Sequence, residues 1–240
     1  MMTALLTSSP CVYQAPRAIL NPENCFLAHL YRLLPEPVRC LFVCSAPESF
    51  YWTDKVAKEM EQAFSLAGLP FEELLILDRR TDRYAAELIA RSNFLILSGG
   101  HVPTQNAYFR EIGLRQLLQD YDGVILGISA GSMNAAEVVY AQPEESGESA
   151  PDFPRFLPGL GLTDVQILPH YQMVKDNVLD GLRLFEDITC ADSMGQCFFA
   201  LPDSSFFRIE QGITTLHGEA WCIENGTIRQ ISQPGDVTVF

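Results

Sequence analysis

Ser129 lies in the sequence GVILGISAGSMNAA, where an apolar run meets the pattern G-x-S-x-G and a helix-favouring segment follows. Between a strand and a helix, this pattern is typical of a nucleophile elbow, a strained turn that exposes the serine hydroxyl. The flanking glycines are needed because Cβ atoms there would clash, and the backbone N–H of Ala130 would point at a developing oxyanion. Only three positions of the pattern are fixed, so a plain tight turn is the alternative interpretation.

A serine hydroxyl is a poor nucleophile without a base, and the base needs an acid to orient it. Among the four histidines, His170 follows the apolar run VQIL and is the candidate base. We expect it at the same sheet edge as Ser129 if the two strands are parallel. The alternative for His170 is a strand-end histidine bonded to backbone. His101 follows Gly99 and Gly100 at that edge and is expected to line the pocket.

The other two histidines are weaker candidates. His29 lies in the helical pattern FLAHLYRLL and is predicted to be structural, and His217 lies in TTLHGEAW, a predicted hairpin where a surface position is expected. For the acid, Asp203 follows the apolar run CFFALP at another strand end. The alternative for Asp203 is a turn-forming aspartate that bonds its own backbone.

The double glycine of LSGG follows a predicted strand and leaves a backbone N–H exposed. Glycine permits close approach of a substrate, so Gly100 could supply a second oxyanion donor beside Ala130.

The elements that must position these groups alternate between strand and helix over the first two thirds of the chain. Strands are predicted at residues 38–46, 73–78, 93–100 and 123–128 and in VQILPHY; helices are predicted in TDKVAKEMEQAFSLAG, TDRYAAELIARS, TQNAYFREIGLRQLLQDY, NVLDGLRLFEDI and after Ser129. Thr53 is expected to cap the first helix and Gly68 to end it. The positions expected to face the core are Val56, Met60, Ala63 and Ala67 in the first helix and Ala107, Leu114 and Leu118 in the third.

Strands that are apolar on both faces, with helices between them, predict an α/β fold in which a mostly parallel sheet is covered on both sides. The expected architecture is a three-layer αβα sandwich, with every strand-to-helix turn on one sheet edge. From residue 196 onward, short β-runs with turns at EQG and ENG predict antiparallel hairpins that extend the sheet at one edge. Residues 141–159 are rich in Pro, Gly, Ser and acid and are predicted to form a solvated loop, with a substrate lid as the alternative. We expect one domain over residues 1–240.

Composition excludes several function classes. The net charge of −14 disfavours nucleic acid as a partner, and the 48% of hydrophobic residues suffice for a buried core. Seven cysteines without a C-x-x-C motif indicate free thiols in a reducing cytosol. No secretory signal or run of about 18 apolar residues is present, so a cytoplasmic protein without a membrane partner is expected. No metal-binding or nucleotide-binding motif is present, so we predict no metal and no cofactor.

Four motifs taken together, LILSGG, GISAGS, ILPHY and ALPDSS, resemble in order and spacing the serine peptidases that include dipeptidase E (α-aspartyl dipeptidase) and cyanophycinase. The likeness covers residues 38–207, and ALLTSSP is similar to the family's first strand and turn. The resemblance implies a fold like that of the class I glutamine amidotransferases. It also implies Ser129 as nucleophile, His170 as base, an acid at Asp203, and oxyanion N–H groups at Gly100 and Ala130.

Three features depart from that family. Asp203 stands where the family usually has Glu, and a shorter side chain must be compensated by backbone position. GGN or GGD reads GGH here, and an insert VPT precedes Gln105 and Asn106, so the pocket wall that they form with Gly99 and His101 is altered. The arginine with which dipeptidase E holds an aspartyl side chain has no clear counterpart, because neither Lys175 nor Arg183 aligns. Specificity for Asp-X peptides is therefore not carried over.

Two other functions stay open at this point. An α/β-hydrolase-type esterase has the chain order Ser, acid, His, which Ser129, Asp203 and His217 would satisfy. A catalytically inactive binding homologue is the other alternative, because a fold does not fix a function. A glutaminase is disfavoured, since that chemistry in this fold uses a cysteine thiolate. We expect a small peptide as substrate and leave a homodimer open.

Overall fold

A computed structural model describes residues 2–14 and 17–240. In that part of the chain the strands are β1 (Thr3–Thr7), β2 (Cys11–Gln14), β3 (Arg17–Leu20), β4 (Val38–Val43), β5 (Phe71–Leu77), β6 (Phe94–Leu97), β7 (Val124–Ile128), β8 (Val138–Tyr140), β9 (Phe156–Pro158), β10 (Gln166–Leu168), β11 (Val178–Leu179), β12 (Leu182–Arg183), β13 (Cys197–Ala200), β14 (Phe206–Glu210), β15 (Ile213–His217), β16 (Ala220–Glu224), β17 (Thr227–Ser232) and β18 (Val237–Val239). The α-helices are α1 (Phe26–Leu33), α2 (Phe50–Leu66), α3 (Ala85–Arg91), α4 (Val102–Glu111), α5 (Leu114–Leu117), α6 (Ala130–Asn134), α7 (Tyr171–Val174) and α8 (Cys190–Asp192). Short 3-10 helices cover Glu23–Cys25 and Asp82–Tyr84, and a π-helical turn covers Leu184–Thr189.

The main sheet has eight strands in the order β18-β15-β14-β1-β7-β6-β4-β5. Strands β1, β7, β6, β4 and β5 are parallel, and β14, β15 and β18 add antiparallel strands beside β1. Thr7 pairs with Ile128, and Leu97 pairs with both Gly127 and Val43. The carboxyl ends of β1, β7, β6 and β4 are therefore level, which brings the residues that follow them to one edge.

Apolar side chains on the two faces of this sheet form separate buried clusters. One face packs Leu6, Leu41, Leu95 and Ile125 against helices α3, α4 and α5; the other packs Leu5, Phe42, Phe94 and Leu126 against α1 and α2. The predicted α/β class with a mostly parallel sheet covered on both sides, and with antiparallel strands at its C-terminal edge, is confirmed.

A second sheet of four strands, β10-β13-β16-β17, lies apart from the first. The expectation that all the C-terminal strands extend the main sheet is therefore wrong for β13, β16 and β17. Their apolar face has another partner, because Phe198 and Ile223 are buried with Tyr140, with the π-helical turn and with Ala130 and Met133 of α6. Phe198 stacks on Tyr140 with ring centroids 4.2 Å apart. The second sheet is thus packed against the helix that follows Ser129.

Helix α2 begins at Phe50 with Ser49 as its N-cap, so the prediction of Thr53 as the cap is wrong. Thr53 instead belongs to the buried face, with Ala57, Met60, Ala63 and Phe64. These positions recur every three or four residues, so they lie on one side of the helix. Val56, expected to face the core, is 37% exposed on another side. Gly68 follows the helix with φ +76°, as the predicted stop requires.

Two predicted helices have other structures. The segment from Thr104 to Tyr121 is divided into α4 and α5 at Gly113, whose φ is +65°, and Ala107 is exposed while Tyr108 and Phe109 face the core. NVLDGLRLFEDI begins as the hairpin β11–β12, not as a helix. Asp180 and Gly181 both have positive φ, the backbone of a tight hairpin turn, and that turn outweighs the helical spacing of the apolar residues.

Free thiols were expected for the seven cysteines, and all seven are unpaired, with Cys25 exposed and Cys40, Cys44, Cys190 and Cys222 buried. In the described ranges, no helix combines the length and the apolar character needed to cross a membrane.

His217 is 5% exposed, so the expectation of a surface position is wrong. Its ring stacks on Phe206 with centroids 4.6 Å apart, and its Nε2 lies 3.0 Å from Thr215 Oγ1. Burial, followed by the nearby charges of His29 and Arg208, lowers the pKa of His217 to about 4. The folded protein therefore keeps this imidazole neutral where the unfolded chain would protonate it.

This shift predicts how stability depends on pH. Between about pH 6.5 and pH 4 the unfolded chain binds a proton at His217 that the folded protein does not, so stability falls as the pH drops through this window. The loss should be at most about 3 kcal/mol and should level off below pH 4. Urea unfolding at pH 7, 5.5 and 4 should show a shallower decline in His217→Asn than in the unchanged protein. Identical declines in the two proteins would contradict the prediction.

Candidate active site

Ser129 occupies a sharp turn between β7 and α6. Its backbone has φ 50° and ψ −114°, a conformation that residues other than glycine rarely adopt and that costs on the order of 1–3 kcal/mol. The turn is held by its own backbone, because Ser129 N–H donates to the carbonyl oxygens of Thr7 and Ser8 at 3.1 Å each. Ser129 is therefore part-exposed at the carboxyl end of the parallel strands, as a nucleophile elbow requires.

The two glycines of G-x-S-x-G are both needed for close packing. A Cβ at Gly127 would lie 2.8 Å from Ser132 Oγ, and a Cβ at Gly131 would lie 2.6 Å from the backbone carbonyl carbon of Leu97. Real Cβ atoms essentially never approach so closely, so larger residues would push α6 away from β6. The predicted reason for the glycines is thus seen in the packing of the turn.

His170 and Asp203 follow β10 and β13, which are adjacent parallel strands of the second sheet. Leu168 pairs with Ala200, so the two residues lie at the same end of the pair. Asp203 Oδ1 accepts a hydrogen bond from His170 Nδ1 at 2.7 Å. His170 was placed near Ser129 on the expectation of a shared sheet, and that reason is wrong, because β10 belongs to the second sheet and β7 to the first.

Asp203 is held by more than the imidazole. Its Oδ1 also accepts from Ser8 Oγ at 2.8 Å, and its Oδ2 accepts from Gln172 Nε2 at 2.8 Å. Burial acts to raise the pKa of this carboxyl, but the hydrogen bond and charge of His170 and the bonds from Ser8 and Gln172 together lower it. Asp203 is therefore an ionised, oriented acceptor for the imidazole N–H.

Ser8, which follows β1, connects the two parts of the site. Its carbonyl oxygen accepts the Ser129 N–H, and its hydroxyl accepts the backbone N–H of His170 at 2.7 Å while donating to Asp203. Ser8 was not singled out from the sequence, although its position in ALLTSSP, directly after a first strand, was the available signal. In the described part of the chain, His170 bonds Ser8 and Asp203, and a catalytic bond from a serine hydroxyl to histidine is often long until substrate binds.

The backbone after β6 passes directly beside the serine. A Cβ at Gly99 would lie 3.3 Å from Ser129 Cβ, and a Cβ at Gly100 would lie 2.5 Å from Ser45 Cβ. Gly100 therefore favours glycine on steric grounds, whereas a Cβ at Gly99 would require Ser129 to move by a few tenths of an ångström. Ala130 is the first residue of α6, and Gly99 lies beside Ser129. An oxyanion hole formed by the backbone N–H groups of Gly100 and Ala130 stays a prediction.

Comparison with known proteins identifies the family. The family model described as Peptidase family S51 matches residues 25–212. The chain belongs to peptidase family S51. These enzymes are serine peptidases, so the expected class of protein is confirmed. No curated protein has significant sequence similarity to the chain. A crystal structure described as that of a candidate peptidase E protein from Listeria monocytogenes EGD-e is similar in fold, with a TM-score of 0.52 and 18% identity over 97% of this chain and 98% of that one.

Gln105 and Asn106 of this S51 peptidase are buried in α4. Gln105 Nε2 donates to Ser98 O at 2.7 Å, and its Oε1 accepts from Asn134 Nδ2 at 3.0 Å. Asn106 Nδ2 donates to Asn134 Oδ1 at 2.9 Å. Because Asn134 is the last residue of α6, these amides hold α4 against the elbow helix. A substrate contact by either side chain stays a prediction, and the observed bonds favour a positioning role.

His101 lies at the site but faces the loop of residues 141–159. Its Nδ1 lies 2.8 Å from Thr104 Oγ1, and its Nε2 lies 2.8 Å from Glu148 Oε1. The other Glu148 oxygen accepts the backbone N–H groups of Glu144 and Glu145. In the described part of the chain, His101, Glu145 and Glu148 are the one group whose possible metal-ligand atoms lie within 4.8 Å of one another. The hydrogen bonds of His101 and Glu148 account for this cluster, because they connect the loop of residues 141–159 to the site.

The same loop is anchored at further points. Arg155 Nε donates to Asp192 at 3.0 Å, and Asp180 accepts from Ser146 Oγ and from Gly147 N–H. Strand β9 at its end pairs with β8. The loop is therefore joined to the edge of the site by these bonds, while residues 144–147 are exposed, in keeping with the predicted solvated loop.

The remaining sequence candidates lie elsewhere. His217 contacts Thr215 and Phe206, and His29 lies beside it with ring centroids 4.7 Å apart, so neither ring contacts Asp203. Arg183 is paired with Asp187 at 2.6 Å. The structure thus brings His170 to Asp203 and leaves His217 in the core.

The contacts of Ser8 predict a measurable effect on Asp203. Ser8→Ala removes one hydrogen bond that lowers the pKa of the Asp203 carboxyl, so this pKa should rise, as followed by carboxyl-carbon NMR titration. Ser9→Ala is the matched control, because Ser9 Oγ bonds the carbonyl of Cys11 and not Asp203. An unchanged Asp203 titration in Ser8→Ala, or an equal rise in both variants, would contradict the role assigned to Ser8.

Proposed function

We propose that the chain hydrolyses short peptides by acyl transfer to Ser129, with His170 as general base and Asp203 as the orienting acid. The observation that carries the proposal is the 2.7 Å hydrogen bond between His170 and Asp203, joined to the elbow through Ser8. Membership of a serine peptidase family supplies the reaction class. The esterase alternative has less support, because Asp203 bonds His170 while His217 is buried against Thr215 and Phe206.

The hydrogen bond of His170 Nδ1 to Asp203 determines which imidazole nitrogen can take part in the reaction. Because His170 Nδ1–H is bonded to Asp203, Nε2 is the nitrogen that can accept the Ser129 proton. The Ser129 oxygen then attacks the peptide carbonyl carbon, and the carbonyl oxygen becomes an oxyanion that the N–H groups of Gly100 and Ala130 stabilise. His170 returns the proton to the leaving amine, and the peptide C–N bond breaks. Water, activated by the same imidazole, releases the acyl group and restores the Ser129 hydroxyl.

The replacement of the family's usual Glu by Asp203 is compensated by position. Asp203 lies three residues after β13, and β13 pairs in register with β10, which His170 follows. Ser8 and Gln172 fix the carboxylate oxygens from two other directions. A short side chain held in this way can orient the imidazole, and misplacement by about 1 Å would cost on the order of a hundredfold in rate.

The proposed substrate of this chain is a short peptide, and the specificity of dipeptidase E for an aspartyl residue is not carried over to it. Arg183 is engaged with Asp187, and Lys175, although exposed, does not align with the arginine that holds an aspartyl side chain in dipeptidase E. We therefore do not propose specificity for Asp-X.

Removal of the nucleophile tests the proposal directly. Ser129→Ala should abolish hydrolysis of a panel of dipeptides and tripeptides, while its circular dichroism and melting temperature stay close to those of the unchanged protein. Ser9→Ala is the control for a serine change near the site, and it should keep its activity. Turnover retained by Ser129→Ala would remove the proposal.

The assignment of the base is tested by labelling with a fluorophosphonate probe, which reacts only with an activated serine. His170→Ala should reduce the labelling rate by about a thousandfold or more, because the Ser129 hydroxyl loses its proton acceptor. His217→Ala should label at nearly the rate of the unchanged protein once its folding has been verified. Loss of labelling in the His217 variant alone would support the esterase arrangement instead.

A further inference from the structure

A cavity of about 270 Å³ opens beside Gly100, one of the two proposed oxyanion donors. It lies between the ends of β4 and β6 and the first turns of α2, and Gly99 and Gly100 form part of its wall. Its volume is slightly below the roughly 300–1,000 Å³ of pockets that take drug-sized ligands. The space therefore suits one large side chain of a peptide and not a long segment.

The lining of this cavity is uncharged. Its apolar wall includes Phe42, Trp52 and Val56, and among its described lining residues none is Asp, Glu, Lys or Arg. His101, at its rim, is already engaged with Thr104 and Glu148. A charged side chain placed here would lose its water without gaining an ionic partner, which is costly, whereas an apolar one would gain by burial.

Two features of the wall are unexplained by the fold alone. Trp52 is 59% exposed on α2, although a large aromatic ring gains from burial. Ser98 is 3% exposed, and its hydroxyl has no hydrogen-bond partner in the described part of the chain. The Ser98 oxygen is itself buried from solvent, so the observation that points to a bound side chain is the exposed Trp52 ring, which such a side chain would cover.

The Trp52 ring is held in place before any substrate arrives. Lys55 Nζ lies 4.6 Å from its centroid, and Tyr51 packs against it edge-on with centroids 5.8 Å apart. Tyr51 itself is 74% exposed and does not line the cavity. Trp52 therefore lines the cavity, whereas its neighbour Tyr51 does not.

We propose that this cavity is the subsite for an uncharged, preferably aromatic side chain of the residue whose carbonyl Ser129 attacks, with Trp52 as the residue that determines this specificity. The proposal rests on the proposed peptidase function. The acyl side is assigned because Gly100 both lines the cavity and is the proposed donor to that residue's carbonyl oxygen. A side chain on the adjoining Cα can then enter the space beside Gly100.

Kinetics with two dipeptide panels test the subsite. One panel varies the first residue (Phe, Tyr, Leu, Ala, Asp and Lys before a constant Leu), and the other varies the second residue after a constant Ala. The unchanged protein should prefer Phe or Tyr to Ala at the first position by about tenfold or more in kcat/KM. Trp52→Ala should lose about tenfold on Phe-Leu and less than about threefold on Ala-Leu. Tyr84→Ala, the control, changes an exposed aromatic residue that does not line the cavity and should leave both values unchanged.

A second variant fills the cavity and leaves Trp52 in place. Val56→Trp adds bulk to the cavity from the partly exposed side of α2, so Phe-Leu should be lost while Ala-Leu is still cleaved. Equal losses on all substrates in both variants, selectivity confined to the second-position panel, or a preference for Asp or Lys at the first position would each overturn the subsite.

A binding measurement separates failure of the subsite from failure of the proposed function. In Ser129→Ala, calorimetry should detect Phe-Leu binding that weakens by about tenfold when Trp52→Ala is added. If the unchanged protein neither reacts with the fluorophosphonate nor cleaves any dipeptide, the proposed function fails, and this binding result alone then decides the cavity. If labelling depends on Ser129 but Trp52→Ala changes neither Phe-Leu binding nor substrate selectivity, only the subsite proposal fails.

Discussion

The hydrogen bonds of Ser8 join the two sheets that carry the site. Its carbonyl oxygen accepts the N–H of Ser129 from the main sheet, and its hydroxyl lies between the His170 N–H and the Asp203 carboxylate of the second sheet. Backbone bonds between residues 160–163 and the segment after α6 also hold β10 near the elbow. The position of the imidazole relative to the elbow therefore depends on Ser8, on these bonds, and on the packing of Ala130 and Met133 against the second sheet.

The carboxyl ends of β6 and β7 lie at the same level of the main sheet, and this places the glycine loop relative to Ser129. The pairing of Leu97 with Gly127 puts the glycine loop after β6 beside Ser129, and the approach is so close that Gly131 has no room for a Cβ against the Leu97 carbonyl. The same register leaves the cavity beyond Gly100 open toward α2. Packing of backbone on backbone, possible only with glycine, thus forms the elbow, the proposed oxyanion hole and the adjoining space as one unit.

Charge is distributed unevenly around this edge. The protein as a whole carries −14, and one carboxylate at the site, Asp203, is kept ionised by the hydrogen bonds it accepts. A second, Glu148, is tied to His101 and to backbone N–H groups, while the cavity beyond Gly100 carries no charged lining among the described residues. An ionised acceptor for the imidazole and a neutral space for a side chain can coexist here because neither Asp203 nor His170 lines the cavity.

The sequence by itself determined the elements that depend on near neighbours. Apolar strands alternating with helices predicted the parallel sheet, the glycines around Ser129 predicted the elbow, and EQG and ENG predicted turns in which Gln211 and Asn225 indeed have positive φ. It also placed His170 and Asp203 at strand ends. Only the tertiary structure decided that the tail divides into two sheets, that His217 is buried, that NVLDG is a hairpin, and that Ser8 belongs to the site. The bonds of Ser8 span 162 and 195 residues, and contacts over such separations depend on which apolar faces pack together, which no local pattern records.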